Sequence, residues 1–269
     1  YGIYRVQNVL SQGVPIRRLV HATTVHGKEQ QAEKDWGKPI GFYHPNSPLG
    51  DVLLARKHPY RAAVVGLGTG ALAGHLRPGD SLTFYELDPE VERIAREHFH
   101  YLKQAKGDVD VVLGDARLNI ESRAADGSLD ILVIDAFSSD AIPTHLLTRE
   151  ALTLYVSKLK PDGLLVFHIS NRFYDLRPIL KATAESLEPP LYGGYRSKLD
   201  GRRMAPLEDP TKCYVLARTS APLDALSARG WSLGADTADL MPVSPWTDDY
   251  ANILAALYAG AKERSALGQ

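Results

Sequence analysis

RAAVVGLGTGALAGHLRPGDSLTFYELD, residues 61–88, is the segment from which the fold of this chain is predicted. It begins with an apolar run at 62–65, which predicts a buried strand. A turn with three glycines follows at 66–70, and a second apolar run at 82–85 ends in Glu86. The order of these parts is strand, tight loop, short helix, strand and acidic residue.

Each part of this stretch suits the binding of a nucleoside. Gly66 lets the backbone turn sharply, and Gly68 removes a Cβ where a ligand must approach the backbone. The helix that follows Gly70 presents free amide groups at its N-terminus. Glu86 lies 20 residues after Gly66, where a carboxylate can accept hydrogen bonds from both hydroxyls of a ribose. The stretch predicts a nucleoside-containing ligand, and both a dinucleotide, whose pattern would end on Ala71, and an S-adenosylmethionine-type molecule fit it.

The composition is that of an ordinary globular protein. The 269 residues are 44% hydrophobic and 23% charged, and the formal net charge of −1 gives no indication of nucleic-acid binding. The single cysteine, Cys213, cannot form an internal disulfide, which favours a reducing, cytoplasmic compartment and a buried structural thiol. No apolar run reaches the ~18–20 residues of a membrane helix, and no signal peptide is visible. Because the chain starts at Tyr1 with sequence that already looks folded, we expect it to be a piece of a longer protein.

Two regions are predicted, with a boundary near residue 60. Residues 1–60 read as a small β-rich subdomain, with a strand at 4–10, a turn at 13–15, a second strand at 17–26 and a short helix at 51–57. Residues 61–269 read as the main, ligand-binding domain.

The main domain alternates strands and helices. Further helices are predicted at 89–100, 120–125, 149–159 and 174–187, further strands at 109–113, 129–134, 164–169 and 212–218, and a turn at 161–163. This alternation predicts an α/β fold with a doubly wound, mostly parallel, Rossmann-like sheet. In such a sheet the ligand lies at the carboxyl ends of the strands, where Glu86, Asp115 and Asp135 follow three strands in turn.

These residues resemble the spermidine synthases, which are polyamine aminopropyltransferases with the class I S-adenosylmethionine-dependent methyltransferase fold. The resemblance covers about residues 19–171, including the β-rich region that ordinary methyltransferases usually lack. The matching pieces are residues 27–30, 42–44, the GLGTG loop, 86–88, 114–116, Asp135 and 145–148. Residues 246–252 (WTDDYAN) are similar to the end of bacterial spermidine-synthase-like proteins in which a soluble domain follows a membrane-embedded half.

The resemblance implies a role for each matching residue. Glu86 would hold the ribose hydroxyls, Asp115 would accept from the adenine amino group, and Asp135 would orient an attacking amine or accept its proton. The full set of implied donor-binding residues is Gln30, Gly66, Gly68, Thr69, Gly70, Glu86, Leu87, Asp115 and Ala116, and the implied substrate-binding residues are Tyr43, His44, Asp140 and Asp249. Gln30 and Tyr43 would border the substrate channel.

The implied reaction transfers an aminopropyl group from decarboxylated S-adenosylmethionine to a polyamine such as putrescine and releases 5′-methylthioadenosine. Its donor and acceptor are both cationic, so carboxylates are needed to lower their mutual repulsion. The amine reacts only as the free base, and a carboxylate within hydrogen-bond reach can take its proton. Asp135 and Asp140, in the segment DAFSSD, can supply both functions.

Three features depart from the family pattern. Thr69 occupies the position inside the glycine loop where the family usually carries an acidic residue. Asp135 and Asp140 are five residues apart, which is more than in the family, and residues 200–210 (DGRRMAPLEDP) replace its late Tyr-Pro-Ser-Gly segment. Intact S-adenosylmethionine therefore remains an alternative donor, for methyl or aminocarboxypropyl transfer or for sulfonium cleavage. The cations predicted to meet its carboxylate are Arg172, Arg202 and Arg203.

Other classes of function fit less of the sequence. A methyltransferase shares the fold, but the usual Asn/Asp-Pro-Pro-aromatic motif is absent after the fourth strand. An NAD-dependent dehydrogenase needs a catalytic His/Lys or Tyr/Lys pair, which the sequence does not offer. A non-catalytic module that senses a nucleoside or polyamine stays open. The scattered histidines His21, His26 and His44 lack the spacing of metal ligands, so no metal is predicted, and the resemblance implies a possible homodimer.

Overall fold

The computed structural model describes residues 3–137, 143–171, 173–197, 204–234 and 240–266. The chain divides into two compact units. Unit 1 comprises Tyr1–Arg123 and Ser197–Thr211, and unit 2 comprises Ala124–Arg196 and Lys212–Gln269. The predicted division into residues 1–60 and 61–269 stays a prediction.

Unit 1 begins with a three-stranded antiparallel sheet, in agreement with the β-rich character predicted for this region. Its strands are β1 (Tyr4–Ser11), β2 (Val14–His21) and β3 (Thr24–Gln30). The prediction of one strand over 17–26 was wrong, because the chain reverses after β2 at Ala22, whose φ of 51° is left-handed. The turn predicted at 13–15 instead centres on Gln12 and Gly13, both with positive φ, and β2 already begins at Val14.

The rest of unit 1 contains three parallel strands and the helices between them. Its elements are α1 (Pro48–Ala55), β4 (Arg61–Val65), β5 (Ser81–Glu86), α2 (Pro89–His98), α3 (Tyr101–Gln104), β6 (Asp108–Leu113) and α4 (Ala116–Arg123), with 3-10 helices at Glu33–Asp35 and Ala71–His75. Strand β5 pairs in parallel with both β4 and β6. The run 62–65 is buried along its whole length, as expected for a strand covered on both faces.

Unit 2 contains the remaining strands. Its elements are β7 (Leu129–Ile134), α5 (Arg149–Lys158), β8 (Leu159–His168), α6 (Arg177–Glu185), β9 (Tyr192–Ser197), β10 (Lys212–Ala217), α7 (Ala221–Ser227), β11 (Ser232–Leu233) and α8 (Ile253–Ala266), with a 3-10 helix at Thr144–Leu146. Strands β7 and β8 are parallel, whereas β10 is antiparallel to β8 and β11 is antiparallel to β9.

The strand order is β4-β5-β6 in the parallel sheet of unit 1 and β11-β9-β10-β8-β7 in unit 2. The predicted doubly wound, mostly parallel Rossmann-like fold is confirmed. Helix α3 was not predicted, and neither were β9, β11, α7 and α8 in the last third of the chain.

Capping residues explain where several helices begin. The side chain of Ser47 accepts a hydrogen bond from the Gly50 amide, so α1 begins at Pro48 rather than at the predicted residue 51. The side chain of Thr148 accepts from the Ala151 amide in the same way, at the first turn of α5. These contacts satisfy amide groups that a helix leaves unpaired at its N-terminus.

The turn predicted at 161–163 was wrong, because β8 continues through these residues. Leu129 pairs with Leu159 and Ile131 pairs with Leu164, so β8 carries extra residues opposite Asp130. A bulge of this kind keeps the strand in the sheet while it absorbs a Pro and a Gly that would otherwise end it. Helix α6 also begins later than predicted, at Arg177, whose amide donates to Oδ1 of Asp175.

Among the described residues, no helix has both the length and the apolar character that crossing a bilayer requires. The membrane-embedded half that the resemblance implies stays a prediction.

Within unit 1, a buried histidine joins the glycine loop to the segment around Tyr43. Nε2 of His75, in the 3-10 helix after the loop, lies 2.7 Å from the backbone oxygen of Tyr43 and donates to it. Burial lowers the pKa of His75 from its usual 6.5 to about 4. The neutral imidazole is therefore the form that the folded protein holds near neutral pH.

We predict that His75 makes the folding stability depend on pH. Because its pKa is lower in the folded than in the unfolded state, the unfolded state binds the extra proton, and stability falls as the pH drops from about 6.5 to about 4. The full difference corresponds to about 3 kcal/mol in the free energy of unfolding. His75→Gln keeps a donor for the Tyr43 carbonyl without an ionisable group, so urea unfolding of the variant should show a smaller loss between pH 7 and 4. An unchanged pH slope in the variant would contradict this account.

Candidate functional site

Three glycines shape the loop after β4. Gly66, Gly68 and Gly70 all have positive φ, at 97°, 54° and 79°, which residues with a Cβ rarely adopt. A Cβ at Gly68 would lie 2.5 Å from the backbone oxygen of His26. Gly68 is therefore needed partly because β3 packs against the loop, a reason that the sequence pattern did not reveal.

Thr69 is turned into the protein. Its side chain is 1% exposed, and a Cβ at Gly27 of β3 would lie only 2.2 Å from its Oγ1. No described residue forms a hydrogen bond with that Oγ1. The hydroxyl therefore fills the space between the loop and β3.

Glu86, the last residue of β5, is held by backbone amides on both oxygens. Oε2 accepts from the amide of Leu67 in the glycine loop, and Oε1 accepts from the amide of Asp88, both at 2.9 Å. Burial raises the pKa of Glu86, and the amide donors of Asp88, Leu67 and Leu87 oppose that rise. A carboxylate has about four acceptor sites, so beyond these amide contacts the two oxygens keep capacity to accept from a ligand.

Asp88 and Tyr4 complete the turn after β5. Oδ1 of Asp88 accepts from the amide of Glu90 and caps α2, while Oδ2 accepts from the hydroxyl of Tyr4 at 3.1 Å. Burial and this bond to Asp88 raise the pKa of Tyr4. The next side chain to Glu86, Leu87, is 60% exposed, which leaves an apolar surface beside the carboxylate. The sequence analysis did not identify Tyr4 because it lies 84 residues from its partner.

Asp115 and Ala116 follow the neighbouring strand β6. Glu86 and Leu113 are paired across β5 and β6, and the Gly114 amide donates to the backbone oxygen of Glu86 at 2.9 Å. Oδ1 of Asp115 accepts from the Leu118 amide at 2.9 Å and caps α4, which begins at Ala116. Strand pairing therefore places Glu86, which is predicted to bind the ribose, and Asp115, which is predicted to bind the adenine, at the carboxyl ends of adjacent parallel strands.

The predicted channel residues of unit 1 lie in two segments. Gln30 ends β3, opposite Ile16 of β2, and is half-buried. Tyr43 is buried, and its hydroxyl lies 4.0 Å from where a Cβ of Gly68 would be. Nδ1 of His44 accepts from the Asn46 amide at 3.0 Å. Tyr43 is thus close to the glycine loop, whereas His44 is used to shape its own turn.

In unit 2, Asp135 follows β7 directly, at the strand's carboxyl end. Its Oδ1 lies 2.6 Å from Nδ1 of His168, the last residue of β8, and the two side chains are 6% and 4% exposed. Nε2 of His168 lies 2.8 Å from Oγ of Ser170. The sequence analysis missed His168 and Ser170, although a histidine that ends an otherwise apolar strand was a visible signal.

Cys213 lies on β10, where it is paired with His168 of β8. Burial raises the pKa of its thiol well above the usual value, and the charge of Asp135 raises it further. The thiol is therefore protonated at neutral pH and is a structural group, as predicted.

Asp249 is the other predicted substrate residue of unit 2 that the structure describes. Asp249 is exposed on the turn that joins Thr247 to Tyr250. Its neighbour Asp248 makes the contact there, accepting from the hydroxyl of Thr148 at 2.7 Å. Four further predicted residues, namely Asp140, Arg172, Arg202 and Arg203, lie outside the described residues. Among the described residues, no cluster of His, Cys, Asp and Glu has the geometry of a metal site.

No protein-family model matches the chain. Two curated relatives are polyamine aminopropyltransferases. The protein from Vibrio vulnificus is 33% identical over 144 residues, which cover 51% of this chain and 47% of that protein. The protein from Halorhodospira halophila is 36% identical over 143 residues, which cover 50% and 51%. The chain thus spans about half the length of these curated relatives.

Solved structures share the fold across nearly the whole chain. A protein described as a probable spermidine synthase from Corynebacterium glutamicum has a TM-score of 0.70 at 18% identity and covers 94% of this chain and 95% of its own. A spermidine synthase in complex with the transition-state analogue AdoDATO has a TM-score of 0.56 at 14% identity, covering 98% and 88%. The predicted resemblance to the spermidine synthases is therefore confirmed, in sequence by the curated relatives and in fold by the structures.

We predict that Glu86→Gln weakens nucleoside binding. The amide of Gln would turn one donor toward the backbone amides of Leu67 or Asp88, and the site would lose acceptor capacity. The expected loss is at least tenfold in affinity for 5′-methylthioadenosine, as for a hydrogen bond to a charged group. Isothermal titration calorimetry measures it, with Glu90→Gln, an exposed glutamate of α2, as the matched control. Equal affinities of the two variants would remove Glu86 from the site.

Proposed function

We propose that this chain is an aminopropyltransferase. It would transfer the aminopropyl group of decarboxylated S-adenosylmethionine to a polyamine such as putrescine and release 5′-methylthioadenosine. The observation that carries the proposal is Glu86, whose two oxygens are fixed by the amides of Leu67 and Asp88 beside a loop of three left-handed glycines. The names of the curated relatives support the same reaction.

The donor's adenosyl group would be held by unit 1. Each oxygen of Glu86 accepts one backbone amide and keeps a lone pair for one ribose hydroxyl. Asp115 uses Oδ1 for the cap of α4 and has Oδ2 for the adenine amino group. The exposed side chain of Leu87 would pack against the flat base. The spermidine synthase whose structure holds AdoDATO supports a sulfonium donor of this kind.

The proposed reaction is a displacement at carbon. The lone pair of the acceptor amine forms a bond to the carbon next to the sulfonium, the carbon–sulfur bond breaks, and its electron pair leaves with sulfur as a neutral thioether. Before this attack, the carboxylate of Asp135 takes the proton of the protonated acceptor amine, and by acting as general base it frees the lone pair that forms the bond. Attack by a neutral amine also removes one cation from a site that already binds a cationic donor.

A second candidate is an enzyme that uses intact S-adenosylmethionine. The observation that favours it is Thr69, which fills its place against Gly27 and carries no charge to pair with the amine of a decarboxylated donor. The two donors differ by one carboxylate, so their relative affinities separate the two proposals.

The test is direct. The purified chain is titrated with decarboxylated and intact S-adenosylmethionine, and turnover with putrescine is followed by the release of 5′-methylthioadenosine. Tighter binding of the decarboxylated donor together with formation of the larger polyamine supports aminopropyl transfer. Preference for the intact donor supports the second candidate, and binding without turnover of either donor supports a sensing module. The homodimer, the membrane-embedded half and the cytoplasmic location stay predictions.

We predict that Asp135→Asn keeps donor binding and loses turnover. The amide cannot take a proton from the amine, and general-base catalysis typically contributes 10²–10⁴-fold, so kcat should fall by about 100-fold or more. Because Asp135 is proposed to contact the acceptor amine and not the donor, donor affinity, measured by calorimetry, should change less than about twofold. Asp126→Asn, whose side chain is 75% exposed, is the matched control in unit 2. Full activity of Asp135→Asn would exclude Asp135 from the mechanism.

A further inference from the structure

Asp135 is the end of a buried chain of hydrogen bonds within unit 2. The backbone amide of Lys212 donates to Oγ of Ser170 at 2.8 Å, and that oxygen lies 2.8 Å from Nε2 of His168. Nδ1 of His168 lies 2.6 Å from Oδ1 of Asp135. The ring of Phe137 packs edge-on against the imidazole, at 5.1 Å between centroids and 75° between planes.

The donors along this chain can be assigned from the chemistry of its two ends. An ionised Asp135 can only accept, so Nδ1 of His168 must carry a proton. Nε2 of the neutral imidazole is then an acceptor, and the hydroxyl of Ser170 donates to it. The Lys212 amide can only donate, which leaves Oγ of Ser170 as its acceptor. Every donor in the chain therefore points toward Asp135, and such bonds strengthen one another.

Serine, histidine and aspartate also form the nucleophilic triads of hydrolases. Here the hydrogen bond from the backbone amide of Lys212 to Oγ of Ser170 argues against a nucleophilic role for Ser170. Its oxygen accepts from the Lys212 amide where the pairing of β8 with β10 ends at His168 and Cys213. The hydroxyl thus replaces a strand partner and holds the ring of His168 at Nε2, instead of presenting a lone pair to a substrate.

We infer that His168 is the positioning residue of Asp135, with its ring held on the other side by Ser170, which the Lys212 amide holds in turn. This inference rests on the proposed function, in which Asp135 takes the proton of the attacking amine. A short aspartate side chain immediately after a strand has several rotamers, and the bond from Nδ1 of His168 selects one of them. Since a displacement of about 1 Å in a reacting group can cost about 100-fold in rate, this bond has a direct kinetic consequence.

Two variants of His168 separate positioning from packing. Asparagine carries an amide donor at the same bonded distance from Cα as Nδ1, whereas glutamine carries its donor at the distance of Nε2. His168→Gln should therefore lose the bond to Asp135 and lower kcat about 100-fold with the donor KM within about twofold. His168→Asn should recover at least tenfold of that loss. Ser170→Ala should lower kcat several-fold, against Ser157→Ala on α5 as the control.

The decisive spectroscopic measurement is the ¹⁵N NMR of the His168 ring in the wild-type chain, assigned by the loss of its signals in His168→Asn. The inference requires the tautomer with the proton on Nδ1. A proton on Nε2 alone would overturn it, even if His168→Gln does not fold. A His168→Gln enzyme within about threefold of wild type, or a His168→Asn enzyme as impaired as His168→Gln, would overturn it as well.

The wild-type assay separates this inference from the proposed function. If the wild-type chain turns over no donor, the proposed function fails and the role of His168 in the reaction fails with it. If the wild type is active and the variants do not show the expected order, only the role of His168 is overturned.

Discussion

The hydrogen bond from the Leu67 amide to the carboxylate of Glu86 holds the glycine loop of unit 1 in place. It joins the loop after β4 to the end of β5, and the Asp88 amide holds the other oxygen. A buried carboxylate needs such donors, because burial alone would favour its neutral form. The glycine loop is therefore fixed before any ligand arrives, and a ribose would meet an acceptor whose orientation is already set.

The N-terminal sheet of unit 1 packs closely against the glycine loop. The backbone of β3 approaches so closely that a Cβ at Gly27 would collide with Thr69, and a Cβ at Gly68 would collide with His26. A second contact, from Tyr4 of β1 to Asp88, fixes the sheet beside the turn that follows Glu86. The small sheet thus covers the glycine loop from one side, which a Rossmann-like unit without it would leave to solvent or to another element.

In unit 2, a second carboxylate at the carboxyl end of a strand is also held by a hydrogen bond. Asp135 directly follows β7, whereas Glu86 is the last residue of β5, and the partner of Asp135 is a side chain rather than a backbone amide. The difference matters for the proposed function. Backbone donors would fix Glu86 as an acceptor for the ribose, whereas an imidazole that is itself held by Ser170 would give Asp135 a defined orientation in the proposed proton transfer.

Local patterns of apolar residues, glycine and charge were enough to predict the alternation of strands and helices, the glycine loop and the acidic residues at three strand ends. The side chains that these acidic residues contact could be found only in the folded chain. His168 lies 33 residues from Asp135, and Tyr4 lies 84 residues from Asp88, so no local pattern connects them. The hairpin at Ala22 and the bulge in β8 were also missed, because each depends on strand pairing rather than on the residues of one strand.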